Sequence, residues 1–504
     1  MDEMFAAWMN RVIANTRQRH LQRGSSLPDP TDKLKLLFAG YNGTRNTGSD
    51  VRVEEMLRQV RHLYGEHRVE ATVFSFIKSY SAAYFGNAQQ VTPAVTFPRY
   101  LGQIVPRFHG VVACEGSTFK SNFSDLLTLM MVGALGVAAA SDKLSIAYGA
   151  EAGQMNPWPK RLTRENCQQS LVLTRNAASR DILGELGVPS ELGTDTAWTF
   201  SPLPPAYGQQ QLRNAGWRGE PVLIVCPINP FCWPVTASLT KGMARLLGFY
   251  RRSHYGRIFF FNSDPSVEER FERYLTAVAR GVAAFRQRTG VFVALAASEE
   301  IDNVAVRRIA AKLGGAPTFS STNYNIYQLV SIFRAADLML SSRYHAIVTS
   351  MAGTVASAGI TVDERIANLM NERGHSRLLA AVDDPDLEAR VGDMLDDLQA
   401  NAPAVIAASH RVVAKNLQIM AGMGTRFVDY VGQRFPNFEP RVRSRSWENY
   451  LPPLGRELQS LLADQSAVLG PAASADQTMG QVCSPVANMN SEFAEGCPSP
   501  LAVL

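Results

Sequence analysis

The chain has 504 residues, of which 46% are hydrophobic and 19% are charged. Fifty basic residues against 45 acidic ones give a net charge of +5, which is small for this length. This composition excludes a chain that is disordered throughout or fibrous, and the charge is too mild to indicate nucleic acid as a partner. The length allows about three domains, or two large α/β domains with extensions.

The amino terminus and the cysteines indicate a cytoplasmic protein. The first 20 residues begin with acidic side chains and lack the apolar core of a signal peptide. None of the six cysteines forms a C-x-x-C pair, so we expect buried thiols in a reducing compartment. The longest apolar run, residues 126–140, is shorter than the roughly 18 residues that span a bilayer, and it predicts a buried helix.

The first half of the chain alternates between strand and helix patterns. Residues 1–30 have the pattern of an amphipathic helix that ends in a Gly/Ser/Pro break. The alternation that follows predicts a Rossmann-like domain over residues 31–205. Its predicted strands cover residues 33–41, 69–76, 108–117, 144–153 and 169–175.

A second alternating series follows residues 201–219, which are rich in Pro, Gly and Gln and predict an interdomain linker. This series predicts a second Rossmann-like domain over residues 206–399. Its predicted strands cover residues 221–229, 256–264, 291–298, 336–345 and 355–360. We expect a helical extension over residues 400–465, and a disordered tail over residues 466–504, which contain no Lys or Arg.

The predicted fold class is therefore α/β, with two Rossmann-like domains that face a cleft. In open parallel sheets, ligands bind outside the carboxyl ends of the strands. We therefore expect the functional residues on the polar loops that follow the strands.

The sharpest such feature is SSRYHAIVTSMAGT, in which Arg343 and His345 stand two residues apart at the end of a predicted strand. In extended chain, residues at this spacing point the same way. Arginine binds a carboxylate or phosphate through two parallel hydrogen bonds, and histidine exchanges protons near neutral pH. The alternative is an arginine in a structural ion pair beside a histidine that caps the helix.

Other strand ends carry further candidates. Arg175 could reach the same anion from the other domain, or form an interdomain salt bridge. Glu115 and Asp195 could orient a base or a sugar hydroxyl, although loop capping is the simpler role. Glu299 and Asp302 precede a predicted helix, and we expect them to cap it.

The loop GYNGTRNTGSD follows the first strand and matches neither a dinucleotide-binding fingerprint nor a P-loop. Its backbone amide groups at a helix start would suit an anion. The alternative is a plain turn in which Ser49 or Asp50 caps the helix.

Six short motifs follow one another along the chain: N-T-G-S-D from Asn46 to Asp50, CEGS, RNAASRDILGELGV, DTAW, ADLMLSSRYHAIVTSMAG and ITVDERI. This ordered set resembles the polysaccharide pyruvyl transferases over about residues 33–379. The motif that contains Arg343 and His345 is the most specific, and Ser49 and Asn176 stand where that family usually has acidic residues.

The resemblance implies a GT-B-like fold, phosphoenolpyruvate as the donor and a pair of sugar hydroxyls as the acceptor. We expect Arg343 and Arg175 to bind the two anionic groups of the donor, and His345 to act as the general acid or to contact the phosphate. Asp195 or Glu115 would orient the acceptor hydroxyl. Asn46, Gly48 and Asp50 are further candidate substrate-binding residues. The reaction requires no cofactor and no metal.

The predicted function is thus transfer of a pyruvyl group to a glycan or a lipid-linked glycan precursor, as in exopolysaccharide biosynthesis for the cell envelope. Peripheral contact with the inner face of the membrane is compatible with this activity. Two alternatives stay open, namely a GT-B glycosyltransferase that uses a nucleotide sugar and a non-catalytic member of the same family.

Overall fold

The computed structural model describes residues 2–25, 27–246, 254–256, 259–262 and 264–469. The predicted disordered tail lies outside the described residues from residue 470 onward. The sequence SLTKGMARLLGFYRRS over residues 238–253 also predicts a helix, and the end of this segment lies outside the described residues. Residues 466–469 are described, and they belong to a helix rather than to the tail.

The N-terminal lobe contains a seven-stranded parallel sheet with the order β3-β2-β1-β4-β5-β6-β7. The strands are β1 (Leu34–Asn42), β2 (Val69–Ser75), β3 (Gln89–Val91), β4 (Gly110–Ala113), β5 (Leu144–Ala150), β6 (Leu171–Thr174) and β7 (Glu191–Leu192). The helices are α1 (Asp2–Arg23), α2 (Thr47–Tyr64), α3 (Phe97–Ile104), α4 (Asp125–Ala140), α5 (Pro157–Asn166) and α6 (Ala177–Glu185). Parallel strands are buried on both faces, which explains their continuous apolar runs.

Helix α4 is the buried helix that the long apolar run predicted, and α1 covers it from outside. Small residues allow this close packing. A Cβ atom on Gly133 of α4 would lie 2.6 Å from Sδ of Met9 in α1, and one on Gly136 would lie 2.7 Å from Cδ1 of Ile13. No helix in the described part of the chain is both long and apolar enough to cross a membrane.

The C-terminal lobe contains a six-stranded parallel sheet with the order β13-β12-β8-β14-β15-β16. The strands are β8 (Val222–Cys226), β12 (Phe292–Ala297), β13 (Thr318–Ser320), β14 (Leu338–Ser341), β15 (Ala356–Thr361) and β16 (Leu379–Ala381). The helices are α7 (Pro205–Asn214), α8 (Leu239–Leu246), α9 (Pro265–Thr289), α10 (Asn303–Lys312), α11 (Ile326–Arg334), α12 (Tyr344–Ser350) and α13 (Glu364–Glu372).

The strand predicted over residues 256–264 is wrong as a member of this sheet. The chain there forms a separate antiparallel sheet of three short strands, with the order β10-β11-β9. These strands are β9 (Thr236–Ala237), β10 (His254–Gly256) and β11 (Phe259–Phe260).

The predicted linker is helical, because α7 lies within it. The predicted C-terminal helical extension is confirmed in part: α14 (Leu387–Arg434) begins before residue 400 and is bent at Asn401, and α15 (Arg456–Leu469) follows it. Helix α14 contacts both lobes. His410 binds the carbonyl of Gly353, and the carbonyl of Met420 accepts a hydrogen bond from Gln59 in α2.

The carboxyl ends of the two parallel sheets face each other across an interlobe crevice, and the lobes touch there directly. The backbone amide of Thr47 donates to the carbonyl of Ser298 at 2.9 Å, and that of Val235 donates to Phe123 at 2.8 Å. Two facing Rossmann-like lobes therefore form the predicted architecture, in a closed arrangement.

Candidate active site

Arg343 and His345 lie where β14 passes into α12. Arg343 has extended backbone angles and precedes the helix, while His345 lies in its first turn. The Oγ atom of Ser341 accepts the Arg343 amide at 2.9 Å and donates to the Arg343 carbonyl at the same distance. Both side chains lie at the crevice, as predicted, but they bind different partners because the chain turns helical between them.

Arg343 is held by two acidic residues of its own lobe. Its Nε donates to Oδ2 of Asp302 at 2.8 Å, and its Nη2 donates to Oε2 of Glu299 at 2.8 Å. Within the described part of the chain Nη1 makes no hydrogen bond, and 19% of the side chain is exposed. Arg343 is therefore ion-paired, yet it keeps two N–H groups for a ligand.

The two acidic residues were predicted as helix caps, and they do form a reciprocal cap in which the Glu299 amide donates to Oδ2 of Asp302 at 3.0 Å. Their second role was not predicted. Burial raises the pKa of Asp302 to about 6 although Arg343 opposes the shift. Glu299 also accepts hydrogen bonds across the crevice from Tyr41 and Asn46, both at 3.1 Å.

Side chains of the loop after β1 bind several of its own backbone amides. Asn46, and not Ser49 or Asp50, caps α2, and its Oδ1 accepts from the amides of Gly48 and Ser49 at 3.1 and 3.2 Å. Asp50 is completely buried and accepts from the amide of Gly43 at 2.8 Å. In this closed arrangement these three amides are occupied by side chains of the loop itself, and the anion-binding role of the loop backbone stays a prediction.

Gly48 has a different role, which is steric. The ring of His345 lies against it, so that a Cβ atom at position 48 would overlap Nδ1 and lie 2.5 Å from Cγ. The ring of Tyr344 packs against the His345 ring in an edge-on geometry, with 5.0 Å between the ring centroids. The N-terminus of α2 thus limits the position that the imidazole ring of His345 can take.

His345 reaches across the crevice to Asp195, with 3.1 Å between Nε2 and Oδ2. Asp195 is completely buried, and it also accepts from the Ala197 amide. Burial alone would raise the pKa of Asp195, but Arg52 and His345 hold it well below its ordinary value. Burial lowers the pKa of His345. A neutral imidazole must donate to this carboxylate through Nε2, so Nδ1 carries no proton.

Arg175 lies at the end of β6 and is held within its own lobe. Its Nη1 donates to Oδ2 of Asp195 at 3.2 Å, and its Nη2 pairs with Glu151. The interdomain salt bridge, which was the alternative to anion binding for Arg175, is therefore not formed among the described residues. The Arg175 guanidinium does lie over the ring of Tyr344 from the other lobe, 4.8 Å from the centroid. Glu151 also pairs with buried Lys120 at 3.1 Å.

Arg52 is the main residue that the sequence did not reveal. It lies on α2, is completely buried and donates from Nη2 to the Gly149 carbonyl at 2.6 Å. Its Nε and Nη1 have no hydrogen-bond partner in the described part of the chain, although Nε lies 3.4 Å from Asp195 and Nη1 lies 4.0 Å from Glu115. These N–H groups are thus only partly satisfied.

Gly116 brings Arg52 and Arg175 together. A Cβ atom on this residue would lie 2.9 Å from Nη1 of Arg52 and 3.0 Å from Nη1 of Arg175. Glu115 beside it accepts from Oγ of Ser49 at 2.6 Å.

We call the cluster from this lobe the N-lobe wall and the facing cluster the C-lobe wall. The N-lobe wall comprises Arg52, Glu115, Lys120, Glu151, Arg175 and Asp195, and the C-lobe wall comprises Glu299, Asp302, Arg343 and His345.

Solved structures of several sugar-processing proteins are similar to this chain. A candidate UDP-N-acetylglucosamine 2-epimerase from Listeria monocytogenes shares 11% identity at a TM-score of 0.50, with 79% of this chain and 97% of that chain covered. A glycosyltransferase from Rickettsia africae shares 9% identity at a TM-score of 0.47, with 80% and 99% covered. At such identities the likeness shows the fold alone, which is GT-B-like. A comparison with curated proteins gave no match.

A family model described as polysaccharide pyruvyl transferase matches residues 111–364, about half of the chain. The matched segment runs from β4 to the start of α13, so it includes most of both walls. It excludes the loop around Asn46 and also Arg52. This match agrees with the motif order of the sequence and with the two-lobed fold. The chain therefore belongs to the polysaccharide pyruvyl transferase family and is a transferase.

Proposed function

We propose that this protein transfers the pyruvyl group of phosphoenolpyruvate to two hydroxyls of a glycan or glycan precursor, which forms a cyclic ketal and releases phosphate. One observation carries the proposal: the crevice brings arginines from both lobes together with a histidine. Arg52 and Arg175 lie on one wall, and Arg343 and His345 lie on the other. The donor carries a carboxylate and a phosphate, so it needs cationic partners at two places.

The N-lobe wall supports binding of one anionic group. Three cations and three carboxylates share this wall, and the Nε and Nη1 groups of Arg52 lack hydrogen bonds in the described part of the chain. Gly116 leaves room beside the Nη1 atoms of Arg52 and Arg175, where a side chain would clash. A carboxylate or phosphate oxygen at this point would accept from both guanidinium groups.

The C-lobe wall supports binding of the second anionic group. Glu299 and Asp302 orient Arg343 through its Nε and Nη2 atoms, so the guanidinium plane is fixed while Nη1 stays available. A guanidinium held in this way is preorganised, and less entropy is lost when a ligand binds.

His345 is better suited to begin the reaction as a base than as the general acid that we expected. Its protonated Nε2 faces Asp195, and its lowered pKa leaves Nδ1 free to accept a proton at neutral pH. We propose that Nδ1 takes the proton of the first acceptor hydroxyl. That oxygen then bonds to C2 of the donor, and the electron pair of the C2–C3 double bond takes the proton back from Nδ1. The methylene carbon thus becomes a methyl group, and His345 returns to its neutral form.

The second half of the reaction expels phosphate. The C2–O bond to phosphate breaks with its electron pair, and the second hydroxyl bonds to C2 and loses its proton. One diol and one phosphoenolpyruvate thus give one ketal and one phosphate. Asp195 keeps the imidazole in one tautomer and stabilises its positive charge while the proton is held.

Substrate entry requires the lobes to part, because the closed crevice is filled by contacts between its own walls. Gly48 covers Nδ1 of His345, and Lys120 of one lobe pairs with Glu364 of the other. Parting the lobes would uncover Nδ1 and widen the access to the Nη1 group of Arg343. Closure around the substrates would then exclude water from the reacting atoms.

The experiment that tests this function is an assay of phosphate release with phosphoenolpyruvate and candidate glycans. We expect release that depends on both substrates, and an acceptor that gains one pyruvate less one water by mass spectrometry. Arg343→Ala and His345→Ala should each lower turnover by about 10³-fold or more. His67→Ala and Arg307→Ala, at exposed positions of the same residue types, are the controls.

Three outcomes would contradict the proposal. If the protein binds a nucleotide sugar and phosphoenolpyruvate neither binds nor reacts, the protein is a glycosyltransferase. Calorimetry that shows no binding of any anionic small molecule would indicate a non-catalytic family member. Undiminished turnover in either crevice variant would show that the chemistry lies elsewhere. The proposed compartment is the cytoplasm, where phosphoenolpyruvate is available to a lipid-linked precursor at the inner face of the membrane.

A further inference from the structure

One outer face of the N-terminal lobe is built from three helices. Helix α1 lies on α4 between α3 and α5. Phe5 of α1 stacks on Phe97 of α3 with 5.5 Å between ring centroids, and a Cβ atom on Gly136 of α4 would touch both Ile13 of α1 and Asn166 of α5. The outward sides of these helices therefore form one continuous surface, which we call the α1 face.

The α1 face is strongly basic. Helices α1, α3 with the turn that follows it, and α5 contain nine Arg or Lys residues against three acidic ones, Asp2, Glu3 and Glu165, which gives +6. The whole chain carries only +5, so the remainder of the protein nets to −1. All nine basic side chains are exposed: Arg11, Arg17, Arg19, Arg23, Arg99, Arg107, Lys160, Arg161 and Arg164.

These charges are not neutralised by neighbours. Of the nine basic side chains, Arg161 alone forms an ion pair with a residue in the described part of the chain, to Glu165 at 2.7 Å. By contrast, Arg273, Arg288 and Arg308 of the C-terminal lobe are all paired at their surface. The α1 face therefore presents a field of one sign that extends beyond single contacts.

Apolar side chains stand among the arginines. Met4 is 60% exposed and Leu21 is 79% exposed, near the two ends of α1. Trp8 of α1 and Trp158 of α5 are partly exposed at the same face. Tryptophan and long basic side chains beside exposed aliphatic groups are the composition of helices that lie at a lipid–water interface.

We propose that the α1 face docks onto a bilayer surface that contains anionic phospholipid. The charge of the face attracts acidic headgroups, and Met4, Leu21 and the tryptophans contact the boundary of the acyl chains. Nucleic acid would match the charge but gives no role to the exposed aliphatic side chains. Helix α5 starts at Pro157, six residues after Glu151 of the N-lobe wall, so one end of the α1 face lies within about 20 Å of this wall.

The test is sedimentation of the full chain with vesicles, measured without substrates so that its outcome is independent of the proposed reaction. We expect binding to vesicles with 30% phosphatidylglycerol, little binding to pure phosphatidylcholine, and release at 0.5 M salt. A variant with Arg11→Gln, Arg17→Gln, Arg23→Gln and Arg164→Gln should bind at least about tenfold more weakly.

A charge-matched control carries Arg213→Gln, Arg307→Gln, Arg411→Gln and Arg441→Gln, which also removes four exposed positive charges but away from the α1 face. It should bind like the parent chain, and both variants should keep the parent thermal transition. Equal loss in the two variants would show a response to net charge alone and overturn the proposal. Binding of duplex DNA as tight as vesicle binding at 0.15 M salt would overturn the choice of lipid.

Discussion

The two walls of the crevice use their charges differently. The N-lobe wall shares three cations among three carboxylates, all largely buried, and leaves two N–H positions of Arg52 without hydrogen bonds in the described part of the chain. The C-lobe wall places two carboxylates around one guanidinium and adds a neutral histidine. The N-lobe wall has no net charge but contains nitrogen atoms without hydrogen bonds. The C-lobe wall has excess negative charge, and hydrogen bonds fix the direction of its arginine.

This difference indicates a division of labour. Unsatisfied buried donors cost free energy, and an arriving anion would remove that cost on the N-lobe wall. The C-lobe wall gains less from an anion, since Arg343 already has two acidic partners, but it fixes the direction of Arg343 and His345. We infer that the N-lobe wall mainly determines donor affinity and that the C-lobe wall mainly determines the rate of the chemical step.

The proposed division of roles between the two walls is tested most strongly by Gly48→Ala. The new methyl group would overlap the imidazole of His345 and push it from Asp195. Gly48 lies in the first turn of α2, so alanine itself suits the backbone. We expect kcat to fall by about 100-fold with a smaller change in KM for phosphoenolpyruvate, because misplacement of a reacting group costs rate. Steady-state kinetics measure both constants.

Gly184→Ala is the matched control, because this glycine is also helical and has no atom within 4 Å of its Cβ position. It should keep parent kinetics. If the Gly48→Ala variant has the same kcat as the parent, the chemical step does not depend on the observed position of the His345 ring.

The sequence was sufficient for the long strands and insufficient for the short ones. The apolar runs of strands such as β1, β5 and β12 can be recognised in the sequence, since most of their side chains are apolar or small. The edge strands β3, β7, β13 and β16 contain only two or three residues and lack such a run. The FFF segment at 259–261 has the apolar signal, yet part of it pairs in the small antiparallel sheet, because pairing depends on tertiary neighbours.

The site shows the same limit. Arg343, His345, Arg175 and Asp195 could be found because strand ends in a parallel fold collect functional residues. Glu151 and Lys120 follow β5 and β4, and the same rule would have found them. Arg52 could not be found, because a charged residue in the helical sequence VRVEE has the pattern of a solvent-exposed face. Its burial arises only when α2 is covered on both sides.

Arg52→Lys tests whether the N-lobe wall determines the affinity for phosphoenolpyruvate. Lysine keeps the positive charge but cannot hold the Gly149 carbonyl and also present N–H groups beside Gly116. We expect KM for phosphoenolpyruvate to rise by about tenfold, with kcat changed less than threefold.

The control is Arg61→Lys on the same helix, where Nη1 binds the Phe85 carbonyl away from the crevice. It should leave KM unchanged. If Arg52→Lys instead lowers kcat and leaves KM unchanged, the proposed division between the two walls is wrong.

The smallest expected effect concerns two buried aspartates whose pKa values are shifted in opposite directions. Burial raises the pKa of Asp50 to about 7, whereas the cations of the N-lobe wall hold the pKa of Asp195 well below its ordinary value. The folded state thus binds a proton at Asp50 more tightly than the unfolded state does, so this residue costs stability as pH rises from about 4 to 7. Asp195 contributes stability above its ordinary pKa, and that contribution is lost in acid.

Asp50→Asn should therefore remove a penalty. Its side-chain oxygen can still accept from the amide of Gly43, and the new NH₂ group replaces Oδ2, which has no hydrogen-bond partner in the described part of the chain. By thermal unfolding from pH 5 to 8, we expect the melting temperature of the variant relative to the parent to increase with pH, until the variant melts about 1–3 °C higher at pH 8. Asp195→Asn should melt lower than the parent at pH 8, since it leaves Arg52 and Arg175 buried beside a neutral group. A lower melting temperature for Asp50→Asn at pH 8 would mean that Asp50 is stabilised as an anion, and the contrast between the wall and its neighbouring loop would then be wrong.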